Sequence, residues 1–156
     1  MDYLNLIKQD LSNTFEGKNW YGPSTKQILD GIDAATAAKS FGPQDKSIWM
    51  ITNHITDWMD EASNCLEGKE LRHPKEWDWH PVDDRTEKAW CEAISRLAKS
   101  HQRFLLAVDG IKELNCEDEV VNSQGEAMGF TYEMMLQGIV QHNVYHMGQI
   151  SLMKTL

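Results

Sequence analysis

The sequence predicts an all-α fold, a four-helix bundle with a long crossover loop, built as one domain over residues 1–156. Three observations predict it. Apolar residues recur every three or four positions in four long segments, as on helices with one buried face. No run alternates apolar and polar residues convincingly, as a half-buried strand would. A chain of 156 residues, 41% hydrophobic and 25% charged, is the size and composition of one packed core. Four such helices bury their stripes most simply against each other.

In chain order, Tyr3, Leu4, Ile7, Leu11 and Phe15 form the first stripe, which Gly17 ends. The stretch "NWYGPS" breaks the chain. Ser24 is placed to cap a short turn, "TKQILDGI", and "DAATAAKS" reads as another short helical piece before "FGPQ". A second long helix begins near Ser47, with Ile48, Ile51, Ile55, Trp58 and Ala62 inward and Gly68 as its stop. A third runs from about Thr86 to Val108 through Trp90, Ile94, Leu97, His101 and Leu105, with Asp83 or Asp84 near its start. The last runs from about Thr131 to Lys154, carrying Met135, Ile139, His142, His146, Ile150 and Met153. Between the second and third, "HPKEWDWHPVDDR" is Pro-interrupted and long for a connection, and reads as both a crossover and part of a binding mouth.

The net charge of −9 argues against a nucleic-acid partner and against an anionic membrane surface. Apolar runs are too short to span a bilayer, and "MDYLNLIKQDLSNTF" lacks the build of a signal peptide. Cys65, Cys91 and Cys116 are an odd number without clustered spacing, which fits neither a disulfide framework nor a cysteine zinc site. A cytoplasmic protein is the expectation. Cys65 and Cys91 read as small core fillers.

The histidines carry the chemistry. His142 and His146 lie four apart on the last helix, so both rings stand on one face and their nitrogens can approach one ion at about 2.0–2.1 Å. Such a pair also arises by chance, and Asn143 stands where the HExxH protease motif needs Glu. His54 falls between Ile51 and Trp58 on the inward side of its own helix and offers a third ligand. Taken singly, His54 reads first as a satisfied core histidine and the pair as a hydrogen-bonded or exposed feature, but three inward imidazoles are a heavy polar load without a shared partner. His101 reads as a core histidine bonded to a carbonyl, with a fourth ligand or a group that orients the ligands as the alternatives. His73 and His80, with neighbours such as Asp78, read as solvated loop residues, and Trp77 and Trp79 as clamps holding the loop on the bundle, with the lining of a pocket mouth as the alternative. Asp57, Gln149 or backbone carbonyls are the candidates to orient the rings, while Tyr145 and Asn143 point away from the seam.

With those residues in view, the chain resembles the DinB/YfiT-like family of four-helix proteins. The matching pieces are "GPSTKQILDGIDAATA", "SIWMITNHITDW", "EWDWHPVDDRTEKAWCEAISRL" and "MLQGIVQHNVYHMGQI", from Gly22 to near the C-terminus. The resemblance implies an antiparallel bundle with a divalent metal held by His54, His142 and His146, and a homodimer. It also implies thiol-dependent S-transfer or isomerisation with a low-molecular-weight thiol such as bacillithiol or mycothiol, since characterised relatives do this.

The chemistry expected is that of a metal-dependent enzyme holding Zn(II), Ni(II), Mn(II) or Fe(II) and acting on a small-molecule substrate as an S-transferase or a hydrolase. The rival is a non-catalytic stress-related or ligand-binding bundle. Haem held by histidine pairs is a third reading, and it would give a coloured protein.

Overall fold

The computed structural model describes residues 3–42, 45–71, 78–111, 116–122 and 124–156. They are mostly helical: α1 (Tyr3–Glu16), the short α2 (Thr25–Leu29) and α3 (Ala34–Ala38), then α4 (Ile48–Leu66), α5 (Glu87–Asp109) and α6 (Tyr132–Met153). Two antiparallel hairpins complete them, β1 (Ser40–Phe41) with β2 (Lys46–Ser47), and β3 (Glu119–Val121) with β4 (Ala127–Thr131).

Local chemistry sets the helix starts. Ser47, Thr86 and Thr131 each accept a hydrogen bond from the backbone N–H three residues on, satisfying a donor that the first turn leaves free. At α2 only half of the capping box is well formed: Gln27 Oε1 accepts from Ser24 N at 2.9 Å, and the Ser24 hydroxyl makes no such bond. Gly68 ends α4 at φ +66°, a left-handed conformation that glycine adopts without penalty.

The long helices bury the stripes that the spacing marks. Leu11, Ile55, Leu97, Phe104, Leu136 and Ile150 are among the fully buried side chains. α4 packs on α5 and α6, and α1 packs on the same two helices. Charges stitch α4 to α5: Arg96 pairs with Asp57 and, at 3.3 Å, with Asp60, while Arg103 reaches Glu67 at 2.7 Å. Across the fold, Tyr3 Oη donates to the Glu133 carbonyl at 3.2 Å, tying α1 to α6.

α4 is the most enclosed helix. Its polar residues Thr52, Thr56 and Ser63 are buried too, each donating to the carbonyl four residues back at 2.7–2.8 Å. A buried hydroxyl satisfied within its own helix lets α4 be covered on several sides, where a single stripe predicts one.

Three sequence expectations change here. The hairpins are real strands, too short for a period of two to register, with Gly125 (φ +79°) in the β3–β4 turn. Cys91 is exposed instead of filling the core, because Trp90 takes the inward position. Asp57 pairs with Arg96 across to α5, and the bonds at the His54 and His146 rings go to Asp78 and Gln149.

Candidate metal centre

His54 enters from the middle of α4, while His142 and His146 enter from successive turns of α6. The packing of α4 on α6 brings the three rings together: one nitrogen from each lies within 4.8 Å of the others. His54 Nε2 and His142 Nε2 are 2.9 Å apart. Ring centroids are 4.9 Å apart for His54–His142, 4.7 Å for His54–His146 and 4.4 Å for His142–His146.

Hydrogen bonds on the far sides fix two rings. His54 Nδ1–H donates to Asp78 Oδ1 at 2.5 Å, and His146 Nδ1–H donates to Gln149 Oε1 at 2.7 Å. Gln149 is itself held, its amide donating to Tyr145 Oη at 2.9 Å. A neutral imidazole carries one proton, so holding it on Nδ1 leaves Nε2 as a bare lone pair on both rings.

His142 differs. Its Nδ1 is buried and makes no well-formed hydrogen bond, and the same is true of Asn143 Oδ1 on the adjacent residue. Asn143 nonetheless acts on the ring, favouring its protonated form. Asn143 is buried, so its place off the histidine seam is still an interior one.

Burial holds the three imidazoles below the ordinary histidine pKa. For His142 burial is the largest cause, the charges of His146 and His54 add to it, and the value falls to about 4. Burial likewise lowers His54 and His146, against the upward pull of the Asp78 bond on the first and the Gln149 bond on the second. The rings are therefore neutral near pH 7, the form that binds metal.

This arrangement fits a divalent cation. Two nitrogens sharing one ion at about 2.1 Å each are at most about 4.2 Å apart, so the 2.9 Å contact lies within reach of one ion. Without a cation, the Nε2–Nε2 contact needs a proton from His142, since His54 keeps its own on Nδ1. That leaves His142 Nδ1 as a buried acceptor with no donor. A cation held by these nitrogens would remove the need for that proton, which could then sit on Nδ1, where the Asn143 side chain favours it.

Aromatic rings wall the cluster. Trp79 stacks on His54 with centroids 3.9 Å apart and planes within 17°, and Lys46 Nζ lies 3.5 Å from the centre of the same indole. Trp79 holds φ +60°, uncommon for a bulky side chain. Trp58 stands edge-on to His54 at 6.2 Å and tilted against His142 at 5.6 Å. Past His142 and Trp58 opens a cavity of about 450 Å³, walled by α4, α6 and the β3–β4 hairpin. Its lining is nearly all apolar, and includes Met128, Phe130, Met135 and Ile139.

Of the other sequence candidates, Gln149 stands where a ring-orienting residue was expected, and Asp78 and Trp79 were placed too far out. The loop holding both folds inward, so Asp78 touches His54 and Trp79 covers it instead of only clamping the loop. His101 is a core residue stacked on Phe15 at 4.1 Å, with its pKa lowered by burial to about 4. His80 is exposed; His73 and Trp77 lie outside the described residues. Cys65 is buried in the cavity wall, its thiol pushed by burial to about 11.

A mostly helical chain with three buried or half-buried imidazoles converging from two helices is a protein built around one polar centre. The chain belongs to the DinB superfamily, whose family model matches residues 23–150, including all three histidines. No curated protein and no solved structure matches the chain. Among the described residues, no helix is long and apolar enough to cross a membrane.

Proposed function

We propose that this protein is a divalent-metal-dependent enzyme, with His54, His142 and His146 as the ligands of Zn(II), Ni(II), Mn(II) or Fe(II). One observation carries the reading: one nitrogen from each of three imidazoles lies within 4.8 Å of the others, and two of the rings have outer hydrogen bonds that leave Nε2 as a lone pair. The four long helices are read as a four-helix bundle in one domain, crossed by the segment between α4 and α5, and the chain is read as a homodimer in the cytoplasm.

Three protein ligands leave coordination positions open, and a bound ion there lowers the pKa of a thiol or water. The chain's own residues do the rest. Asp78 and Gln149 keep the protons of His54 and His146 on Nδ1. Trp79 and Trp58 exclude water from the rings, which strengthens every charge interaction inside. The substrates that suit such a site are a small electrophile and a low-molecular-weight thiol, and the reaction is S-transfer. Hydrolysis is the second reading, favoured by the same open positions.

Metal analysis of untagged protein, beside each His→Ala variant, tests the assignment. A stoichiometric ion in the wild type and its loss from the variants is the expected result. Wild type carrying no more metal than the triple variant would return the protein to a non-catalytic bundle. Conjugation of thiols to chloro-aromatic or epoxide acceptors by the loaded protein, set against ester and amide hydrolysis, separates the two reactions.

A further inference from the structure

We propose that the cavity beside the triad binds an uncharged aromatic or alkyl substrate body with its reactive end at His142, and that Gly138 sets the bore. The chemical meaning rests on the metal-dependent reading above; the binding itself does not.

Two helical rows build the cavity. On α4, Trp58, Glu61 and Cys65 follow His54 at spacings that keep one face, and all three line the space. On α6, Ile139, Gly138 and Met135 run back from His142 in the same way. The rows face each other, so the cavity extends along the helices from the triad, and His142 belongs to both. The hairpin closes it with Met128 and Phe130, and the buried Val120 anchors that hairpin.

The lining selects the ligand. Among the described residues it holds no lysine or arginine to pair an anion, and its surface is nearly all apolar, which favours an uncharged body. Three methionines, Met128, Met134 and Met135, give a surface that adapts to irregular apolar shapes. A volume of about 450 Å³ is within the range that holds a small organic molecule.

Gly138 is the independent sign. Glycine inside a helix costs stability relative to alanine. Here the usual reasons for glycine fail: its φ is not positive, and a Cβ built on it meets nothing within 4 Å. What a side chain at 138 would occupy is open space, as at Gly148 on the same helix, but of the two Gly138 is the one that lines the cavity. The missing Cβ leaves that wall uncrowded one helical turn from His142.

Binding of neutral N-phenyl-1-naphthylamine to the zinc-loaded full chain, followed by its emission, tests the proposal. Saturable binding is expected, weakened at least about tenfold by Gly138→Leu, and the sulfonated anionic analogue should bind about tenfold more weakly than the neutral dye. If Gly138→Leu fails to fold, Gly138→Ala carries the test by size, weakening the dye more than it weakens naphthalene. Copper(II) in place of zinc should quench the bound dye. No saturable binding, unchanged affinity in the folded variants, equal binding of the anion, or, in a chain that metal analysis shows to hold copper, emission indifferent to it overturns the proposal. Metal analysis reads the triad separately: dye bound by a chain that takes up no metal sinks the metal reading and leaves the cavity.

Discussion

The imidazole of His54 lies between two loop side chains, flat against Trp79 at 3.9 Å and bonded through Nδ1 to Asp78 at 2.5 Å. Adjacent residues of one segment thus fix both the plane and the proton of a ring that α4 delivers. The centre is held from outside the helices as well as from within.

Asp78→Asn keeps the shape of the side chain and removes its charge. Carboxylates bonded to metal-binding histidines typically change metal affinity by about 10–100-fold. Affinity for zinc, read by competition with a chromophoric chelator, should fall within that range. Gln149→Ala should weaken it less, because the amide it removes is neutral.

At Trp79 the backbone and the ring pull in opposite directions. Trp79→Ala loses the stack and keeps an unfavourable φ of +60°, whereas Trp79→Gly loses the stack and relaxes the backbone. Urea unfolding should find the glycine variant equal to the alanine variant or more stable, by up to about 1 kcal/mol. That inverts the usual ranking, in which glycine is the worse choice.

His101 gives the metal-free fold an acid sensitivity with a definite sign. Its pKa is about 4 in the fold and about 6.5 in the unfolded chain, so the unfolded state binds more protons between those values. Its contribution is complete above about pH 6.5, shrinks as pH falls, and amounts to about 3 kcal/mol lost by pH 4. His101→Phe keeps a ring on Phe15 and removes the titration. Denaturation series at several pH values should show a shallower slope for the variant across that window.

The cysteines should differ sharply in reactivity. Cys91 is exposed, whereas Cys65 is buried with its thiol near pKa 11, so at neutral pH its thiolate is about a hundredfold scarcer than that of a cysteine near 9. Timed alkylation with peptide mapping should label Cys91 first and Cys65 slowly, unless the chain is unfolded.

Much of this centre was legible in the sequence because helical periodicity carries it. His54, His142 and His146 sit among Ile51, Ile55, Ile139 and Ile150, and the spacing that turns the isoleucines inward turns the histidines with them. No periodicity governs the loop, so Asp78 and Trp79 read as solvated and clamping residues, although tertiary contact brings them to His54. Cys91 shows the limit within a helix: adjacent to Trp90, it reads as apolar in composition, and only the packing decides which neighbour faces in. The buried polar row of α4, Thr52, Thr56 and Ser63, was invisible for a related reason, since hydroxyls that bond their own helix look like surface residues in a pattern of hydrophobicity.

Thr131 is at once the last residue of β4 and the cap of α6. The roof of the cavity and two of the three histidines therefore arrive on one uninterrupted stretch of chain, while His54 waits on another. Swapping the hairpin at that junction for one of different side chains would retool what the protein admits and leave the imidazoles untouched, which makes 119–131 the natural cassette for altering its appetite.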